Sequence, residues 1–237
     1  MMRSQLADLS TALSDQLSGA AQDWLTTALD QLTASIGSDR TEIHLRCSAM
    51  ARRNLGTAPL KQLTDPCCWQ ADEAGRLLLL AKRLALSTTQ EAATLIKEAF
   101  KYGDEYEQIA IIKGLKWIDD RGDMTDLAIA TGRTNSINVF AAIALNNPYP
   151  ARFYDDRAFH QLVLKTLFMD LHLACLLGLQ QRLSTKLSAL CIDLVNERLA
   201  ADRNPPPSIW LAIDLNDLNA ADQATYLKFT KNNKGLL

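Results

Sequence analysis

"DEYEQIAIIKGLKWID", residues 104–119, is the stretch whose reading decides the fold class. Its centre, "QIAIIKGL" (108–115), comes nearest of any segment to the apolar alternation of a β-strand. Length and charge argue the other way. The whole segment outruns an ordinary strand, and its acidic start suits the positive end of a helix, with Asp104 placed to cap it. Read as a helix, it leaves no convincing strand alternation in the chain.

The neighbours repeat the pattern. "STTQEAATLIKEAFKYG" (87–103) opens on a Ser/Thr cap, with Gln90 or Glu91 placed for a capping box. "WQADEAGRLLLLAKRLAL" (69–86) is built of strong helix formers. Before it, a loop "TAPLKQLTDPCC" follows a helix "TEIHLRCSAMARRNLG" (41–56) that Thr41 can cap and Gly56 can end. Leu6, Leu9, Leu13 and Leu17, then Trp24, Leu25, Ala28, Leu29, Leu32 and Ile36, recur at helical spacing, so the N-terminal region is one bent helix or two, divided near Ser10 or Asp15. Downstream, "MTDLAIATG" and "TNSINVFAAIAL" are split at Gly132, and "DDRAFHQLVLKTLF" (155–168) and "STKLSALCIDLVNERLAA" (184–201) precede two shorter pieces past "NPPP". The expected fold is all-α: an irregular α-α superhelix of antiparallel helix pairs, HEAT-like, with a compact helical bundle as the alternative. It is expected to form a single helical domain over residues 1–237, frayed at 230–237.

Composition narrows the function classes. Apolar residues make up 48%, charged residues 22%, and the net charge is −2, which fits a soluble globular protein and lacks the basic excess of a nucleic-acid binder. The start, "MMRSQLADLSTALSDQL", has no apolar targeting core, and the longest apolar runs, at Leu77 and Leu173, are far short of a membrane span. The expected location is the cytoplasm. Five cysteines, two of them adjacent at Cys67 and Cys68, match neither a disulfide framework nor CxxC spacing, and are expected to be reduced, mostly buried thiols.

Catalytic patterns are missing. His44, His160 and His172 stand in no metal-binding spacing, and no Ser-His-Asp order, GxSxG, GxGxxG or P-loop occurs. Asp156 and His160 share a helix face, but capping and hydrogen bonding account for them. Asp119-Asp120 and Asp155-Asp156 are placed at expected helix starts, where the helix dipole favours acids. No catalytic residue, metal ligand or cofactor is expected.

The cations are the informative residues. Arg53, Arg76, Lys113, Arg133 and Lys165 lie within or beside apolar helical stretches. Such long cations snorkel, pair, or converge into an anion site. One stretch combines several features: "GRTNSINVFAAIALNNPYPA" (132–151). Gly132 can end one helix in a left-handed conformation, Thr134 or Asn135 can cap the next, Asn146 or Asn147 can close it, and Pro150 is expected to keep Tyr149 extended. The result is a rigid corner that presents Arg133, Asn135 and Tyr149.

This stretch, continued through "RFYDDRAFHQLVLKTLF" to residue 168, resembles the core of the EboA family, as do "ARRNLGTAPL" (51–60), "WQADEAGRLLLL" (69–80) and "RLSTKLSALCIDLVNERLAADR" (182–203). "KWIDDRGDMTD" (116–126) departs from the family's proline-containing form. The resemblance implies an all-helical cytoplasmic protein of a secondary-metabolite gene cluster associated with metabolite export, whose neighbouring products include a membrane prenyltransferase. It carries no established biochemical activity. The family pattern falls on Arg53, Arg76, Arg133, Asn135, Tyr149 and Lys165, the expected ligand-binding set. The expectation is a non-catalytic scaffold or carrier that binds an anionic or prenylated small molecule, or a partner enzyme of the cluster. The alternative is an enzyme acting on a prenylated or phosphorylated intermediate, with "DDRGD" (119–123) its nearest acidic motif.

Overall fold

A computed structural model describes residues 2–232, with side chains from residue 5 to residue 227. Twelve α-helices occur among them: α1 (Met2–Gln16), α2 (Gly19–Ala34), α3 (Gly37–Leu55), α4 (Ala71–Ala85), α5 (Thr89–Tyr102), α6 (Glu105–Ile118), α7 (Thr125–Thr131), α8 (Ile137–Ala144), α9 (Tyr149–Phe153), α10 (Asp156–Phe168), α11 (Thr185–Ala200) and α12 (Ala220–Asn232). No strand forms among the described residues, and an isolated bridge joins Pro59 to Gln70. The all-α expectation holds, and residues 108–115 lie in α6. The chain forms two compact units, one ending at Thr131 and one beginning at Gly132. Residues 233–237, most of the end expected to fray, lie outside the described residues.

The first unit is organised around α4. Residues Ala71 to Leu80 and Arg83 are buried, and α1, α2, α3, α5 and α6 all pack against this helix. A helix buried on every side must be apolar or internally paired. Here Leu77, Leu79 and Leu80 supply the apolar part. This is packing about a central helix, the bundle alternative for this unit. A HEAT-like succession, in which each pair touches only its neighbours, does not follow from it. Beneath α4, Trp69 stacks on Trp117 at 5.2 Å, and the Asp65 carboxylate accepts from Trp69 Nε1, the Cys67 N–H and Lys116 Nζ.

Local chemistry sets most helix ends. Thr88 with Glu91 and Asp104 with Glu107 form capping boxes, and Gly56, at φ 73°, ends α3. Three expectations shift. The first break falls at Leu17 and Ser18, after Asp15. α3 begins at Gly37, before Thr41, because Arg40 donates to the carbonyls of Leu32 and Ser35 and so satisfies the end of α2 from within the next helix turn. Thr41 instead accepts from Arg83 Nη2 at 2.8 Å. Asp119 closes α6 and starts no helix: its carboxylate accepts from the N–H groups of Gly122, Asp123 and Met124 at 2.8–3.1 Å, holding the 119–124 turn without a proline. Asp155, in contrast, does cap α10.

In the second unit α8, α11 and a 3-10 turn (Pro207–Ala212) pack on α10. Ser188, buried on α11, donates to Asp217 and accepts from the Asp214 N–H, fastening the segment past the proline run.

Candidate functional site

The corner at the start of the second unit is built by Lys165. Its ammonium donates to the carbonyls of Gly132 at 2.8 Å and Thr134 at 2.7 Å, and lies 4.7 Å from the centre of the Phe140 ring. Burial lowers its pKa from the ordinary lysine value. The clamp moves the start of α8 past the expected caps. Ser136 caps the helix, its Oγ accepting from the Val139 N–H, while Thr134 Oγ1 accepts from the Ser136 N–H. Gly132 is not left-handed as expected, since the clamp supplies the turn. Arg133, between the two clamped carbonyls, is exposed, as is Asn135.

At the far end of α8, Asn146 takes the left-handed conformation at φ 55° and its N–H donates to the Cys175 carbonyl. Asn147 is buried, donating to the Ala142 carbonyl and accepting from the Tyr149 N–H. That turn starts α9, so Tyr149 is helical and buried against Phe153, contrary to the extended presentation expected of it. Pro150 sits in the first turn, where a missing N–H costs nothing. Tyr149 is therefore part of the packing at the far end of α8 and is not presented to solvent.

Two exposed apolar side chains flank the clamp. Phe168, one turn beyond Lys165 on α10, is 71% exposed, and Ile137, one turn before Phe140 on α8, is 49% exposed. α8 packs on α10, so the Lys165–Phe140 contact carries both at its edges.

In the first unit Arg53 is exposed near the end of α3, whereas Arg76 is buried. Arg76 Nη1 donates to Asp72 Oδ2 at 2.6 Å, and Lys113 pairs with Glu73 at 2.8 Å. Arg76 also lines a cavity of about 30 Å³ with His44, Ser48, Leu45, Tyr102 and Glu107. His44 is buried, and burial together with the Arg83 charge lowers its pKa to about 4. The sequence drew attention to His44 only as a metal ligand, for which its spacing is wrong, and did not point to Ser48. Their spacing with Thr41 along one face of α3 was the available signal. A larger cleft of about 410 Å³ between α1 and the 62–65 loop is lined by Asp8, Asp15 and Asp65, a setting that does not attract anions.

Lys165 and Arg133 thus share one corner of the second unit with Asn135 beside them, Tyr149 is buried past the other end of α8, and Arg76 faces a separate cavity of the first unit. Among the described residues no group of three or more His, Cys, Asp or Glu side chains is arranged to hold a metal ion. No helix among them is long and apolar enough to cross a membrane.

Fold and sites together define an all-helical protein in which Arg76, Lys113 and Lys165 are paired internally and Arg53 and Arg133 stand exposed near helix ends. The family model described as "Metabolite traffic protein EboA" matches residues 5–214, and the chain belongs to that family. Neither a curated protein nor a solved structure matches it. The family description assigns a role in metabolite traffic in general terms.

Proposed function

We propose that this chain is a non-catalytic helical carrier or scaffold in metabolite traffic, located in the cytoplasm, which holds an anionic or prenylated intermediate or docks a partner enzyme. The observation that supports it is the clamped corner: an exposed guanidinium at Arg133 with exposed Phe168 and Ile137 on the helices beside it. A guanidinium fork suits a phosphate or carboxylate head. Burying the two apolar side chains under a prenyl tail adds hydrophobic affinity. Asn135 offers a neutral amide to the same head, Lys165 positions the corner, and Tyr149, buried past the other end of α8, does not reach the head from there. Arg53 is a second exposed cation, in the first unit, and Arg76 already has Asp72 as its counter-ion. The protein partners proposed are other products of the gene cluster, the membrane prenyltransferase among them.

The enzymatic alternative has weaker support. Asp119 of the acidic motif uses both carboxylate oxygens on backbone N–H groups of its own turn.

Isothermal titration of the full chain with geranyl diphosphate tests the carrier reading, with inorganic pyrophosphate and geraniol as separate head and tail probes. Geranyl diphosphate is expected to bind more tightly than either fragment. Arg133→Ala and Phe168→Ala, both at exposed positions, are each expected to weaken it about tenfold or more. Unchanged affinity in both variants overturns the assignment of the corner.

A further inference from the structure

The cavity bounded by α3, α4, α5 and α6 has a polar floor that the first unit's own hydrogen bonds do not complete. Arg76 and His44 are each 4% exposed, and Arg76 Nε and His44 Nδ1 find no hydrogen-bond partner. Leaving such groups unpaired is costly. The third polar group is Ser48, whose Oγ donates to Glu107 Oε1 and keeps its own lone pairs as acceptors. Glu107 Oε2 is taken by the Asp104 N–H. The floor therefore offers a donor at Arg76, an acceptor at Ser48 and an imidazole nitrogen that serves as either.

The charges argue against an anion. Asp72 already counters the Arg76 guanidinium, and the Glu107 carboxylate adds a negative group to the lining. A neutral group that both donates and accepts fits this set. A volume of about 30 Å³ admits a hydroxyl or a water but no ring. The mouth is of a different character: Tyr102 is 74% exposed and Leu45 50% exposed, and both line the cavity. Apolar walls around a few convergent polar atoms are the ordinary composition of a small-molecule site.

We propose that this cavity is a binding site, distinct from the corner of the second unit, for the hydroxyl group of a neutral ligand whose apolar body rests on Tyr102 and Leu45. The test uses the full chain with phenol, toluene and benzoate as probes, followed by NMR on the His44 imidazole and the Tyr102 ring. Phenol is expected to shift both signals saturably, with toluene and benzoate at least about tenfold weaker. Arg76→Lys keeps a cation for Asp72 and removes Nε, and should weaken phenol by about tenfold. Tyr102→Ala, at an exposed position, should also weaken it and keeps the test open if the Arg76 variant does not fold. Toluene binding as well as phenol, an unmoved His44 signal (a cavity holding water only), or a Tyr102→Ala protein that binds phenol like the parent overturns the proposal.

Discussion

Arg76→Met is expected to cost the first unit about 3–5 kcal/mol of stability, because it strands a buried carboxylate. Arg76 and Asp72 are 2.6 Å apart on one face of α4, with side chains 4% and 0% exposed. Asp72 Oδ1 and Arg76 Nε have no hydrogen-bond partner, so besides its place in the first turn of α4 the carboxylate depends on this one ion pair. Methionine keeps most of the arginine stem, which separates loss of charge from loss of volume. The helix concerned is the one on which five others pack, so the loss spreads to the whole unit. The companion Asp72→Leu/Arg76→Met removes both charges and fills their space with apolar atoms. It is expected to fall within about 1 kcal/mol of the parent, or above it. Urea denaturation followed by far-UV circular dichroism, with the emission of the stacked Trp69 and Trp117 as a second probe, measures both. A single variant within about 1 kcal/mol of the parent, or a double variant no better than the single, refutes the reasoning.

Lys165→Met removes two charged hydrogen bonds to carbonyls of half-buried residues, which water partly replaces. A loss of about 1–3 kcal/mol is expected, with faster hydrogen exchange in residues 134–139, and unchanged exchange there would contradict the clamp. His44 has a folded pKa of about 4 against 6.5 when free, so at intermediate pH the unfolded chain binds the extra proton. Stability is then complete above 6.5 and falls as pH drops toward 4, by about 2 kcal/mol between pH 7 and 5. His44→Gln should flatten that slope in paired denaturation curves, and parallel slopes refute the assignment. Gly114→Ala would place Cβ 2.3 and 2.8 Å from the two methyls of buried Leu77. Overpacking of about 1–3 kcal/mol outweighs the helix-propensity gain of about 1 kcal/mol, so the melting temperature should fall. Gly75→Ala meets the single methyl end of Leu55 and should lose less.

The helices could be read from the chain because their signals are local. Capping boxes at Thr88 and Asp104, the glycine after α3 and the cap at Asp155 lie within a turn of the ends they set. Misplaced ends have distant causes. Thr41 lost its cap role when Arg40, reaching back to α2, let α3 begin at Gly37, and Thr134 and Asn135 lost theirs to Ser136, beside the carbonyls that Lys165 holds from some thirty residues on. Tyr149 was expected to face outward because Pro150 disfavours a helix before it, but the buried Asn147 side chain fixes that N–H and starts α9.

The candidate sites divide along the same line. A cation within an apolar helix is visible in the letters, which is why Arg76 and Lys165 could be singled out. What each cation does depends on partners. For Arg76, Asp72 stands one turn away, and the spacing already contained the pair. For Lys165, the partners are backbone carbonyls that no residue type announces. The cavity around His44 joins side chains from four helices, and none of them is unusual in its own segment.

By itself the sequence determined the helical class, most helix boundaries and the family, because periodicity, capping and motif are properties of short stretches. Tertiary structure decided which cations are neutralised inside and which face outward, and it turned Tyr149 from a presented residue into one buried against Phe153. The physical reason is burial. A charge or a ring behaves according to how much water its neighbours leave it, and those neighbours are chosen by packing between helices, not by adjacency in the chain.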